Sequence, residues 1–391
     1  MLYLLIEFLD ELVFGVTGAA WPLIRTDLGL NYVQIGLALS LPGLVASFIE
    51  PFLGILGDVW KRRALILGGG IFFVLALFLT AVSQNFTLLL ISFILFNPSS
   101  GAFVSLSQAT LMDSAPARRE HNMARWTFAG SLGVVTGPLV LSVALALSFG
   151  WRGVFFALAG LTLVILLFAW KRLPPSAPHH TALPRFSAIL EGLRFAFSAL
   201  RRKEVLRWAI LLEFSDLLLD VFYGFLALYF VDVAGLAPIQ AALAVAVWTG
   251  LGLLGDFLLI PLLEKVRGLD YLRISVIIEL VLFPAFLLTP NIWLKMGLLG
   301  LLGFFNSGWY AILQARLYAA MPGQSGTVMT IGNVTGLFGR LLPFGIGLAA
   351  ETFGLGAAIW LLLAGPLALL VGLPFHREGA TPEERGRENA K

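Results

Sequence analysis

Residues 54–63 read GILGDVWKRR, with Asp58 and the bases Lys61, Arg62 and Arg63 placed between apolar runs at 33–57 and 64–83. Each run suffices to cross a hydrocarbon core of ~30 Å, which takes about 20 residues per helix. Outward from this break in both directions the same alternation of long apolar run and short polar connection continues. It predicts twelve spans, near 2–24, 33–57, 64–83, 87–112, 126–148, 152–170, 206–231, 238–263, 272–289, 292–319, 327–350 and 355–375. None has the residue-by-residue alternation of a lipid-facing barrel strand. The predicted fold is therefore an all-α membrane protein.

Composition agrees. Of 391 residues, 59% are hydrophobic and 13% charged, with a mean hydropathy of +0.90. Soluble domains are ~45–50% apolar with about 25% charged residues, so a water-facing fold could not hide these side chains. The absence of cysteine excludes disulfides, thiolate metal sites and CxxC redox chemistry. The net charge of +3 suggests no nucleic-acid partner, because the bases follow the loops. Lys61–Arg63, Arg118, Arg119, Arg125, the 171–207 stretch, Lys265, Arg267, Arg273, Arg316 and the tail bases fall on one side when the spans are threaded alternately. The other side has only Arg25, Arg152 and Lys295. This bias predicts a multi-pass protein of the cell membrane with both termini cytoplasmic.

The longest polar stretch divides the chain into a bundle at 1–170, a cytoplasmic linker at 171–205 with an amphipathic helix around 186–200, a second bundle at 206–375 and a cytoplasmic tail at 376–391. The halves are copies. A shift of 206 residues carries Glu7, Phe8 and Asp10 onto Glu213, Phe214 and Asp216, Gly29 and Gln34 onto Gly235 and Gln240, Glu50 onto Asp256, and Asp58 onto Glu264. It also carries Gln108 onto Gln314 and Gly130 and Gly133 onto Gly336 and Gly339; Pro138 meets Pro343 after one residue is lost. Six helices per copy return the chain to its starting side, so two pseudo-symmetric six-helix bundles related by an axis along the membrane normal are expected.

The glycine at 54, the aspartate four residues on and the basic cluster resemble the loop signature of the major facilitator superfamily (MFS), without the glycine usual at the position of Lys61. A worn copy survives as Glu264, Lys265, Val266, Arg267 and Gly268. Gly130, Gly133, Gly137 and Pro138 resemble the glycine and proline motif of the superfamily's proton-coupled drug antiporters, with Leu141 and Ser142 where two glycines usually end it. The resemblance implies a central cavity lined by helices 1, 4, 7 and 10 and open alternately to each side. It also implies gating by Asp58, Arg62 and Glu264, and carboxylate and base at a helix end can indeed pair with a facing lobe in one state only.

Carboxylates at membrane depth cost about 2.5–3.5 kcal/mol each on insertion scales and mark functional positions. The threading places Glu7, Asp10, Glu11, Glu50, Glu213, Asp216, Asp220, Asp256 and Glu279 there, against one base, Arg340, expected as their charge partner. Glu7, Asp10 and Glu11 share a helix face, as do Glu213, Asp216 and Asp220. Desolvation and mutual repulsion oppose the charged form of carboxylates crowded in such a site, which suits a proton carrier. Glu7, Asp10, Glu213 and Asp216 are the expected proton-coupling groups. Substrate contacts are expected from Asp10, Glu11, Glu50, Asn97, Gln108, Asp216, Asp220, Asp256, Asn306, Tyr310 and Gln314. Glu279 is expected to pair locally. Aromatic faces beside carboxylates suit organic cations. Gly250, Gly252 and Gly255 spell GxGxxG inside an apolar span with no preceding strand, so they read as close helix packing.

These residues point to a monomeric secondary transporter that exports cationic or lipophilic small molecules against protons. It needs no organic cofactor, takes its energy from a proton or cation gradient, and has the lipid bilayer and a small-molecule or cation substrate as partners. A carboxylate site for a divalent metal is the alternative; a membrane sensor or enzyme is a remote third. No nucleophile and base arrangement and no phosphate loop is present.

Overall fold

A computed structural model of the chain describes residues 1–59, 61–114, 119–173, 198–321, 331–332 and 335–374, with side chains at all of these except 54, 55, 57–59, 113, 119–121 and 124. Helices make up nearly all of the described residues, and among them there is no strand. The first bundle holds α1 (Leu2–Leu28), α2 (Tyr32–Val59), α3 (Arg62–Val82), α4 (Phe86–Ser100), α5 (Leu106–Ser114), α6 (Arg119–Ala146) and α7 (Gly150–Arg172). The second holds α8 (Lys203–Asp216), α9 (Phe222–Asp232), α10 (Pro238–Leu263), α11 (Gly268–Leu288), α12 (Ile292–Phe305), α13 (Trp309–Ala319) and α14 (Leu342–Phe353), then a last span through Leu355–Ala358, Ile359–Leu363 and Ala364–Gly372. A π turn at Gly101–Ser105 joins α4 to α5, and another at Leu217–Val221 joins α8 to α9.

Ten helical stretches among the described residues are long and apolar enough to cross a membrane. Of the two other expected spans, α1 has the length, 27 residues, but carries Glu7, Asp10 and Glu11 close together. The eleventh is only partly described, as helix at 335–339 and along α14. Most of the linker, its expected amphipathic helix and the tail lie outside the described residues.

The repeated residues have local reasons. Gly29 and Gly235 close the first helix of each copy in the left-handed conformation, at φ 62° and 70°, where a side chain would be strained. Gln34 and Gln240 cap the second helix of each copy: their side-chain oxygens accept from the backbone N–H of Asn31 and Ala237, both at 3.1 Å. The repeated glycines make room for the repeated glutamates. A Cβ on Gly130 would stand 2.7 Å from Glu7 Oε1, and one on Gly339 would overlap Glu213 Oε2. Gly133 and Gly137 press α6 onto α1, with Cβ positions 2.5 Å from Phe8 O and 2.6 Å from Val16 N. Small residues let membrane helices approach this closely.

The bases of the sparse side are all engaged. Arg25 is paired with Asp232 and Arg152 with Asp27. Lys295, read from sequence as a loop charge, is instead buried in the first turn of α12. Its Nζ donates to Tyr229 Oη and Phe286 O, both at 2.8 Å, so a cation closes the carbonyl end of α11.

The bundles meet at the end of α1 away from Met1. Gly36 of α2 and Gly347 of α14 bring two backbones together, and Ser40 Oγ accepts from Phe344 N at 3.0 Å. One turn or more further out, Tyr32 N donates to Glu351 Oε2 at 2.9 Å. On the other flank, Tyr223 of α9 fills the notch left by Gly18 of α1 and stacks on Phe14 at 4.9 Å between centroids.

Candidate functional site

A cavity of about 620 Å³ lies between the bundles, on the side of that closure nearer Met1. Phe14, Thr17, Gly18 and Trp21 of α1 line it, and Arg25, one turn further on, belongs to the closure. The first bundle supplies an aromatic and small-residue wall: Phe14, Thr17, Gly18, Trp21, Leu39 and Gly43. The second supplies all of the charge, with Glu213, Asp216 and Asp220 from α8 and its π turn and Arg340 from the segment before α14. Tyr223, Tyr310, Gln314 and Tyr318 complete the polar and aromatic lining.

The π turn shapes this acidic face. Regular helix puts Asp216 and Asp220 one turn apart on one side; here the wider turn over Leu217–Val221 starts just after Asp216 and contains Asp220, and Asp220 is the more exposed of the two. π turns inside helices recur at functional sites.

The sequence-derived candidates divide by lobe. Glu213, Asp216, Asp220, Tyr310, Gln314 and Arg340 line the cavity. The first-bundle acids stand outside its lining. Glu7 is buried against Gly130. Asp10 accepts from Ser100 Oγ at 3.0 Å, and its Oδ1 is buried without a partner among the described residues. Glu11 packs on Gly130 and Gly133 and is close enough to Asp220 and Tyr223 for charge interaction across the lobes. Glu50 lies against Gly101, whose Cβ would meet Glu50 Cγ at 3.0 Å.

Asp256, the repeat partner of Glu50, sits at the matching irregularity: its Oδ1 accepts from Gly308 N at 3.1 Å, where α12 breaks from α13 and Gly308 adopts φ 74°. In both copies a carboxylate thus meets the interruption of the fourth helix. Asn306 is buried in that break, with its Nδ2 unpaired among the described residues. Asn97 donates to Phe93 O at 3.3 Å, and Gln108 donates to Met123 Sδ at 3.6 Å. None of Asn97, Gln108, Asp256 and Asn306 belongs to the cavity lining.

Three further expectations meet different outcomes. Glu279 was expected to pair locally; it is fully buried, and neither carboxylate oxygen has a partner among the described residues. The reason is its setting: it is buried among the apolar residues of α11, such as Leu272, Val276 and Phe283. Gly252 and Gly255 do pack closely on another helix, against Gly303 O and Ser307. Of the expected gate, the Asp58 side chain lies outside the described residues, and Glu264 is exposed just after α10. Arg62 opens α3 and has interactions of its own.

Sequence reasoning missed Tyr223, Trp21 and Tyr318. Tyr223 stands three residues after Asp220 and seven after Asp216, so helical periodicity from the acids could have found it.

The sequence model of the Major Facilitator Superfamily matches residues 3–343. The chain is 25% identical over 387 residues to the multidrug resistance protein MdtG of Proteus mirabilis, covering 88% of this chain and 90% of that one. It is 26% identical over 170 residues to the quinolone resistance protein NorA of Staphylococcus aureus, covering 42% of this chain but only 44% of NorA. Among solved structures, the nucleoside transporter NupG shares the fold, with a TM-score of 0.75 at 15% identity over 96% of this chain and 99% of that one. By that match along most of its length, and by a fold to go with it, the chain belongs to the Major Facilitator Superfamily and is a multi-pass membrane transporter of small molecules, not an enzyme.

Proposed function

We propose that the protein exports cationic or lipophilic small molecules from the cell in exchange for protons, by alternating access. The observation that carries this is the lining of the cavity: three carboxylates, Glu213, Asp216 and Asp220, face an aromatic wall of Phe14, Trp21, Tyr223 and Tyr310. An organic cation gains from both, through charge on one side and ring faces on the other. The printed names of MdtG and NorA, both drug-resistance proteins, support the same reading.

The carboxylates give the exchange its logic. A cation and a proton compete for the same oxygens, so each displaces the other and one gradient drives the opposite flux. The lobe contacts supply the second half of the cycle. With Arg25, Tyr32 and Tyr223 holding the bundles together at one end, the cavity faces the other, which the loop bases place in the cytoplasm. Rocking about the cavity breaks these contacts and opens the opposite side. The cycle draws its energy from the proton gradient and requires no organic cofactor.

The divalent-metal reading is weaker, because among the described residues no three acidic or imidazole groups converge as a metal site. Reconstituted vesicles test the proposal. A proton gradient should drive uptake of a fluorescent lipophilic cation into vesicles holding the wild-type protein. Asp216→Asn or Asp220→Asn should slow it by at least tenfold. Gradient-independent flux, or flux unchanged in both variants, would remove the proposal.

A further inference from the structure

The cavity holds one cation of its own. Arg340 stands among three carboxylates, and a guanidinium placed only to neutralise them would be expected to hydrogen-bond to one. It does not do so through Nη1, which is buried and has no hydrogen-bond partner among the described residues. Its stem is instead held by the opposite lobe. A Cβ on Gly43 of α2 would come within 3.2 Å of Arg340 Cδ, so the glycine leaves the space that the arginine occupies. Asp216 and Asp220 belong to the other lobe's α8 and its π turn.

The second bundle therefore gives the cavity both signs of charge, with the arginine stem packed against the first bundle. A ligand with only a positive group would satisfy the acids and leave the buried Nη1 of Arg340 without a hydrogen-bond partner, and an unsatisfied buried donor on a charged group is costly. A ligand carrying an anionic group as well would satisfy both. Arginine suits that role, since its planar fork binds a carboxylate through two parallel hydrogen bonds. The volume of about 620 Å³ leaves room for a molecule that reaches both the acids and the arginine.

We propose that the preferred substrates are zwitterions, with the cationic group on Asp216 and Asp220 and an anionic oxygen group on Arg340. This rests on the export reading above and narrows it from cations in general to molecules of both signs. Competition with protons is retained, because the cationic end still sits on the carboxylates.

Two forms of one dye separate the possibilities. A xanthene dye with a free benzoate is a zwitterion, and its methyl ester is a cation with nearly the same shape. Binding of each to the purified full-length protein is read by fluorescence anisotropy, and transport of the ester is read in vesicles with a proton gradient. The free acid should bind about tenfold tighter than the ester, the size of one charge-assisted contact. That ratio should fall to about one in Arg340→Gln. In Arg340→Lys, which keeps the charge and loses the fork, it should lie between. An ester that binds as tightly as the acid to the wild-type protein, or a ratio that persists in Arg340→Gln, overturns the inference. If the ester is bound and driven by the gradient in that case, the export reading stands without it. If neither dye binds, both fall. Should Arg340→Gln fail to fold, the comparison of the two dyes on the wild-type protein still decides.

Discussion

Tyr32, at the start of α2, donates its phenolic hydrogen to Asp232 Oδ2 at the end of α9, 2.7 Å away, and so ties one bundle to the other. Arg25 pairs with the same oxygen and lies 4.4 Å from the centre of the Tyr32 ring. The backbone N–H of Tyr32 meanwhile holds Glu351 of α14. One tyrosine thus connects to two spans of the opposite bundle. An aspartate shared by a guanidinium and a hydroxyl gains from charge-assisted hydrogen bonds that vanish together when the lobes part.

Weakening that latch should shift the protein toward the opposite opening. Loss of charge in Asp232→Asn should favour separation by ~1–2 kcal/mol, on the order of tenfold in population. The chain has no cysteine, so a single Leu39→Cys in the cavity wall reports access cleanly. A membrane-impermeant thiol reagent added on the latch side should label it about tenfold faster in the Asp232→Asn background. An unchanged rate would mean that the apolar contacts alone hold the closure.

The glycine and glutamate pairs predict a matched set of stability changes. Gly130→Ala places a methyl group against Glu7, and overpacking of this kind costs about 1–3 kcal/mol. Gly339→Ala should do the same against Glu213. Shortening the glutamate in the double variant Glu7→Ala, Gly130→Ala should recover part of the loss, a coupling that thermal unfolding of the four proteins of the cycle would measure. Additive losses would show that the two residues do not share the space.

Much of this architecture could be read in the chain itself. The helix-ending Gly29 and Gly235, the capping Gln34 and Gln240, and the acids with their facing glycines all recur because each copy solves the same local problem in its own bundle. The division of the acids between the lobes could not be read so. Repetition makes Asp10 and Asp216 look alike, yet Asp10 turns to Ser100 while Asp216 faces the cavity. That difference arises from how the bundles lean on one another, through contacts such as Gly36 with Gly347 and Gly18 with Tyr223, and no local pattern records it. The π turn beside Asp220 is equally silent, since Leu217 to Val221 reads as ordinary apolar helix.

Glu279 gives a prediction of opposite sign. A fully buried carboxyl group without a partner is a cost, and a side chain of similar size without polar atoms relieves it. Glu279→Leu should raise Tm by a few degrees, about 1 kcal/mol or more in stability, and leave gradient-driven transport intact. Lost transport in a stably folded variant would instead assign Glu279 a part in moving protons.

Lys295→Met should be destabilising, because it strips Tyr229 Oη and Phe286 O of their shared donor. Loss of a buried, hydrogen-bonded partner of this kind costs ~1–3 kcal/mol, which a lowered Tm would report. A Tm equal to that of the wild-type protein would show that water or a neighbouring group replaces the ammonium.

The most direct measurement of the exchange itself is to follow proton and substrate movement together in the same vesicles. A pulse of lipophilic cation added to wild-type vesicles without an imposed gradient should move protons the other way, recorded by a trapped pH dye, and the signal should disappear in Asp216→Asn and Asp220→Asn. Cation entry without counter-movement of protons, or a proton signal that survives both substitutions, would contradict exchange at the second-lobe carboxylates.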